Sequence, residues 1–84
     1  MLARGEELLK QHDIGGARLV LQRALEAGNM RAALLLGQTY DPRILTAWRT
    51  RGIQGEPAKA RELYLRAQAS GMADASAYLE RLPR

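Results

Sequence analysis

Displaced by about 43 residues, this sequence meets itself at positions that matter structurally. Ala17-Arg18 falls on Ala60-Arg61, Arg23-Ala24 on Arg66-Ala67, Gly28 on Gly71, Ala32 on Ala75 and Leu36 on Leu79. A period of this length constrains the fold more than any composition does. Each copy is one supersecondary unit that buries its apolar face only by stacking on its neighbour. The matched alanines recur at helical spacing, where small side chains let two helix axes approach to about 8 Å.

The local signals fit helices throughout. Five main segments are predicted: about Leu2 to Gln11, Gly16 to Ala27, Met30 to Tyr40, Pro57 to Ser70 and Ala73 to Leu82. Ala17, Val20, Leu21 and Ala24 form an i, i+3, i+4, i+7 stripe, which Ala60, Leu63, Tyr64 and Ala67 repeat. The third segment carries Ala32-Ala33-Leu34-Leu35-Leu36, apolar on more than one face, as a helix packed on two sides would be. Gly28 and Gly71 stand where a helix closes in a left-handed residue, Asn29 is placed to cap the next helix, and Pro57 suits a first turn. No segment alternates with period two, so no sheet is expected.

At this point the residues resemble a known pattern, the Sel-one-like repeat, a relative of the tetratricopeptide repeat. The helix A signature Ala-x-x-x-Leu-Gly-x-x-Tyr is met by Ala32, Leu36, Gly37 and Tyr40. The helix B pattern is met by Glu56, Ala60, Tyr64, Ala67 and Gly71, with Ala75 opening the next helix A. Asp13, Ala17, Ala24 and Gly28 fit the preceding half-repeat, where Leu21 replaces the aromatic. The resemblance implies antiparallel helix pairs stacked as a short right-handed α-solenoid of about two repeats, one domain over residues 1–84, and an adaptor or scaffold role.

One stretch departs from that pattern. Tyr40 and Glu56 lie sixteen positions apart where the resemblance calls for about nine, so the whole period mismatch sits in an extended linker at 41–56. Asp41-Pro42 is placed to cap and open a short helix running to about Trp48, with Gly52 and Gly55 ending it. Ile44, Leu45 and Ile53 call for burial, so the linker is expected to fold back over the repeat.

Composition narrows the function. The chain has no cysteine, which excludes disulfides and thiolate zinc sites. Thirteen Lys plus Arg against nine Asp plus Glu give a net charge of +4, with Lys10 and Lys59 the only lysines, but acids are interspersed and no basic arm forms. No apolar run approaches the roughly 20 residues of a membrane span, and Glu6-Glu7 stand where a secretory signal would be apolar. These features predict a soluble chain and favour the cytoplasm, while the absence of cysteine leaves the compartment open.

Trp48 with Arg49 and Arg51 is the local constellation best suited to a partner, since tryptophan and arginine are enriched at binding hot spots. The plainer reading, and the preferred one, is that Trp48 covers the core edge while the arginines are solvated. Arg18 and Arg23 recur as Arg61 and Arg66, a row that could face an acidic peptide or RNA phosphates. Pairing such as Glu62 with Arg66 is preferred as the explanation of that row. His12 has no second ligand or nucleophile beside it, Tyr40, Tyr64 and Tyr78 fall at core positions, and adjacent Glu6 and Glu7 point about 100° apart on a helix. No cofactor, metal site or catalytic residue is expected.

The sequence thus points to a non-catalytic protein-interaction module, its contact groove lined mainly by the A helices. The alternatives are a basic helical domain contacting RNA or DNA, and the C-terminal end of a longer repeat protein docked on its own upstream repeats. Since solenoids usually need three or more repeats and Leu82-Pro83-Arg84 suits a natural stop, the partner is expected to be another protein, upstream repeats of the parent chain, or a second copy.

Overall fold

The computed structural model describes residues 2–82. Within them lie six helices and no strand: α1 Leu2–Lys10, α2 Ile14–Glu26, α3 Arg31–Tyr40, α4 Pro42–Ala47, α5 Pro57–Ala69 and α6 Asp74–Arg81. The five main helices and the short linker helix all form, each within about two residues of the expected bounds. The expected stop at Leu82-Pro83-Arg84 lies partly outside the described residues.

Helices that follow one another in the chain pack on one another: α1 on α2, α2 on α3, α3 on α5 and α5 on α6, while α4 rests on α3 and α1 also touches α3. The repeat positions form the core. Ala17, Ala24, Ala32, Ala60, Ala67 and Ala75 are all buried, as are Leu36 and Tyr64. Leu79, the repeat mate of Leu36, is only half-buried, because α6 packs chiefly on α5 whereas α3 is covered by α2, α4 and α5. Residues 32–37 of α3 are buried without a break, as a helix with neighbours on two sides requires.

Two helix pairs are held close by the same device. A Cβ on Gly37 of α3 would lie 2.7 Å from Tyr64 Cε1 on α5, and a Cβ on Gly5 of α1 would lie 2.6 Å from Leu21 Cδ2 on α2. In both cases a large side chain on the second helix enters the gap that a glycine on the first leaves open. Tyr64 and Leu21 are themselves repeat mates.

Four helices end in one hydrogen-bonding arrangement, the 6→1 and 5→2 pair that surrounds a left-handed residue. In α2 and α5 that residue is Gly28 (φ 96°) or Gly71 (φ 100°), as expected from the sequence. In α1 it is His12 (φ 62°), with Asp13 N–H donating to Leu8 O at 2.9 Å. In α4 it is Arg49 (φ 57°), with Thr50 N–H donating to Leu45 O at 3.2 Å. The expectation that Gly52 and Gly55 end α4 is therefore corrected. Arg49 closes the helix, Gly52 (φ 72°) serves a later turn, and Gly55 is pressed against Pro42, where a Cβ would meet Cγ at 3.0 Å.

The linker folds back, and its ends meet: Glu56 N–H donates to Tyr40 O at 2.8 Å. Segment 41–55 thereby closes on itself in the manner of an Ω-loop. Leu45 is buried within it, while Ile44 and Ile53 are only half covered. Among the described residues every buried side-chain nitrogen and oxygen has a partner, and no helix is long and apolar enough to cross a membrane.

Candidate functional site

The linker is held by two polar anchors at the end of α3. Asp41 is a buried carboxylate whose oxygens are divided between two donors. One caps α4 by accepting from Arg43 N–H at 2.9 Å, and the other accepts from Tyr64 O–H at 2.8 Å. Burial, then the hydrogen bond and charge of Asp41, push the Tyr64 phenol far above its ordinary range, so it remains a neutral donor. The Tyr64 ring also stacks on Tyr78, centroids 5.4 Å apart. The second anchor is Arg18 of α2. Its guanidinium lies 3.9 Å above the centre of the Tyr40 ring and donates to Thr39 O and, at 3.0 Å, to Gln54 O. Lys59 Nζ sits 4.8 Å from the same ring. One arginine thus ties the end of α3 to the returning end of the linker.

So anchored, the linker leaves a groove of about 550 Å³ against the turn between α1 and α2. His12, Asp13, Ile14 and Gly15 form one wall; Trp48, Arg49, Thr50, Arg51 and Ile53 form the other. Trp48 also lines an adjoining recess of about 270 Å³ with Leu9, Lys10 and His12. Trp48 is half-buried, and Arg49 and Arg51 are exposed. The Asp13 carboxylate is turned onto its own helix, accepting from Gly16 N–H at 2.9 Å. Elsewhere a pocket of about 130 Å³ between α4 and α6 has Arg43, Arg81 and Tyr78 in its walls.

The sequence candidates are therefore brought together in part. Trp48, Arg49 and Arg51 share the groove. Arg18 does not join them, being engaged inside the fold, and its repeat mate Arg61 is half-buried on α5 with neither bond. Arg23 and Arg66 are exposed. The arginine row is thus a row in sequence whose members do different work. The expected pairing of Glu62 with Arg66 does not form; the one ion pair among the described residues is Arg4–Glu7 at 3.6 Å. Exposed pairs of long side chains gain little over solvation, so their absence is physically unremarkable. Among the tyrosines, Tyr64 is buried, while Tyr40 and Tyr78 are half-covered and support their neighbours through their faces.

Comparison with protein-family models, with curated proteins and with solved structures gives no match. The site must be read from its own chemistry. Among the described residues no three of His, Cys, Asp or Glu come together as a metal site would require. The groove offers an indole face, apolar flanks and exposed guanidinium groups, a combination suited to recognition.

Reading the sequence missed three features of the site. One is the contribution of His12 and its turn to the groove wall, although a histidine just after a helical run hints at a left-handed closure. Another is the burial of Asp41, which its capping role does not announce. The third is the glycine contact in the first pair, whose only signal is Gly5 preceding Leu8 as Gly37 precedes Tyr40.

Proposed function

We propose that this chain is a protein-interaction module of the Sel-one-like, tetratricopeptide-related repeat type. It acts as a non-catalytic scaffold whose helix pairs stack as a short right-handed solenoid. The observation that carries the reading is the repeated glycine contact, Gly5 beneath Leu21 and Gly37 beneath Tyr64. It supports two copies of one helix-pair unit in register, which is more than a shared helical composition would require. The packing of each helix on the next and a thinnest dimension of 16 Å, about that of two helix layers, agree with it. Such a stack exposes extended faces and loops on a rigid frame, the usual use of repeat proteins.

The test is affinity capture with the full chain as bait in an extract of its source, with and without nuclease treatment, at low and at raised salt. The expected result is a protein partner that persists at raised salt and is displaced by excess untagged chain. Recovery of nucleic acid alone, lost steeply as salt rises, would instead establish the basic nucleic-acid-binding alternative.

A further inference from the structure

We propose that the groove between the α1–α2 turn and residues 48–53 binds an acidic peptide segment of a partner protein. An apolar side chain of that segment seats against Trp48 and Ile53, and its carboxylates meet Arg49 and Arg51. The proposal rests on the protein-interaction reading and assigns it a surface and a partner chemistry.

Backbone geometry gives the first argument. The chain closes four helices with the same left-handed turn. At Gly28 and Gly71 it uses glycine, although nothing lies within 4 Å of where a Cβ would stand. No clash demands glycine at those two positions, so it serves the positive φ alone. At His12 and Arg49 the chain keeps a side chain in a conformation that glycine adopts without strain. Both of these residues line the same groove. Strained non-glycine positions gather where a side chain is wanted for contact.

Charge gives the second argument. Arg49, Arg51 and Lys10 are exposed around the groove and its recess. The only acid in the walls, Asp13, keeps its charge while it accepts from Gly16 N–H, so two exposed arginines outweigh one carboxylate there. The single ion pair among the described residues involves none of these cations. The groove is thus positively charged and complementary to carboxylates, with guanidinium groups able to take them in bidentate fashion.

Shape and polarity select a peptide over a nucleic acid. A cavity near 550 Å³ falls in the range of about 300–1,000 Å³ that takes a small ligand or a few residues. Its floor is apolar at Ile14, Trp48 and Ile53. A single-stranded nucleic acid calls for a cationic track with aromatic faces for successive bases. Here one indole stands between two recesses, which suits one anchoring side chain.

Trp48 is the only tryptophan in the chain, so its fluorescence reports on this groove and the recess that adjoins it. The full chain is titrated with a blocked Glu-Glu-Leu-Phe-Glu-Glu peptide, with its Lys-for-Glu counterpart and with a twelve-nucleotide oligo(dT). The expected result is a saturable shift of Trp48 emission with the acidic peptide and none with the basic one. In the double variant Arg49→Gly, Arg51→Gln affinity falls roughly tenfold or more, for the loss of two charge-assisted contacts. Glycine suits the backbone at 49, so the variant is expected to keep its helical circular dichroism and its melting temperature. Emission unmoved by the acidic peptide, equal affinity in the double variant, or tighter binding of the oligonucleotide each overturns the proposal. A partner protein captured equally by the parent and the double variant would overturn this groove while leaving the interaction reading intact.

Discussion

Replacing Gly37 by alanine adds one methyl group at the closest approach of α3 and α5, and the same change at Gly15 adds it in open space. The contrast isolates what the glycine contact does. Inside a helix, alanine is favoured over glycine by roughly 0.8–1 kcal/mol, so propensity alone would stabilise both variants. At Gly15, in the first turn of α2, no atom lies within 4 Å of the new Cβ, and a gain of no more than about 0.5 kcal/mol is expected there, below the value for a helix interior. At Gly37 the Cβ would stand 2.7 Å from Tyr64 Cε1 and 2.8 Å from Cδ1, against about 3.5–4.0 Å for a relaxed carbon contact. The ring would have to withdraw by about 1 Å. It is fully buried, stacked on Tyr78 and tied through its hydroxyl to Asp41, so withdrawal either parts the helices or weakens that bond. Overpacking of this kind costs about 1–3 kcal/mol, and a weakened buried hydrogen bond about 1 kcal/mol more. Net of propensity, Gly37→Ala should lose about 1–3 kcal/mol. The two variants should then differ by about 1–3.5 kcal/mol, or roughly 1–3.5 M in the urea midpoint for a slope near 1 kcal/mol/M. Urea unfolding followed by circular dichroism measures this directly. Equal stabilisation by both substitutions would refute the account of how the helix pairs are spaced.

Two further predictions concern the anchors of the linker. Because the Tyr64 phenol is held above its ordinary value of 10.0 in the folded chain, its stabilising contribution is complete below about pH 10. Above that pH the unfolded chain ionises first, so stability should fall by about 1.4 kcal/mol per pH unit. Tyr64→Phe should abolish this alkaline slope and, by leaving the buried Asp41 oxygen unpaired, cost about 1–3 kcal/mol at neutral pH; denaturation between pH 7 and 11 tests both, and an unchanged slope would count against the assignment. Arg18→Ala removes the donors to Thr39 O and Gln54 O, so amide exchange at Glu56, whose N–H is bonded to Tyr40 O, should accelerate while that of the α1–α2 pair does not. Unaltered protection at Glu56 would show that the linker is held by something else.

The helices were legible because their signals are local. Alanine and leucine spacing, Gly28, Gly71, Pro57 and the Asp41-Pro42 start each act within a turn or two, and each produced the expected element. The groove was legible only in pieces. Trp48, Arg49 and Arg51 were marked by residue type, but the opposite wall comes from His12 to Gly15, more than thirty positions earlier. Nothing in either segment encodes the meeting. Arg18 and Arg61 occupy matching repeat positions, yet only Arg18 has a folded linker to bind. Identical local sequence acquires different roles once the surroundings differ. The left-handed backbone at Arg49 carries no signal in residue preference, and glycines stood close enough beyond it to suggest a different end for α4.

The two helix pairs close with connectors of very unequal length, residues 11–13 in the first and 41–56 in the second. Even so, a glycine meets a large buried side chain in both. Where the longer connector departs and returns, a backbone bond from Glu56 to Tyr40 and the Arg18 guanidinium, shared by Thr39 O and Gln54 O, hold its two ends together. Connector length is therefore decoupled from helix spacing. Such a segment behaves like a cartridge on a fixed mount: its outer residues are open to change, while Asp41, Leu45 and Gly55, which seat it on the helices, are not.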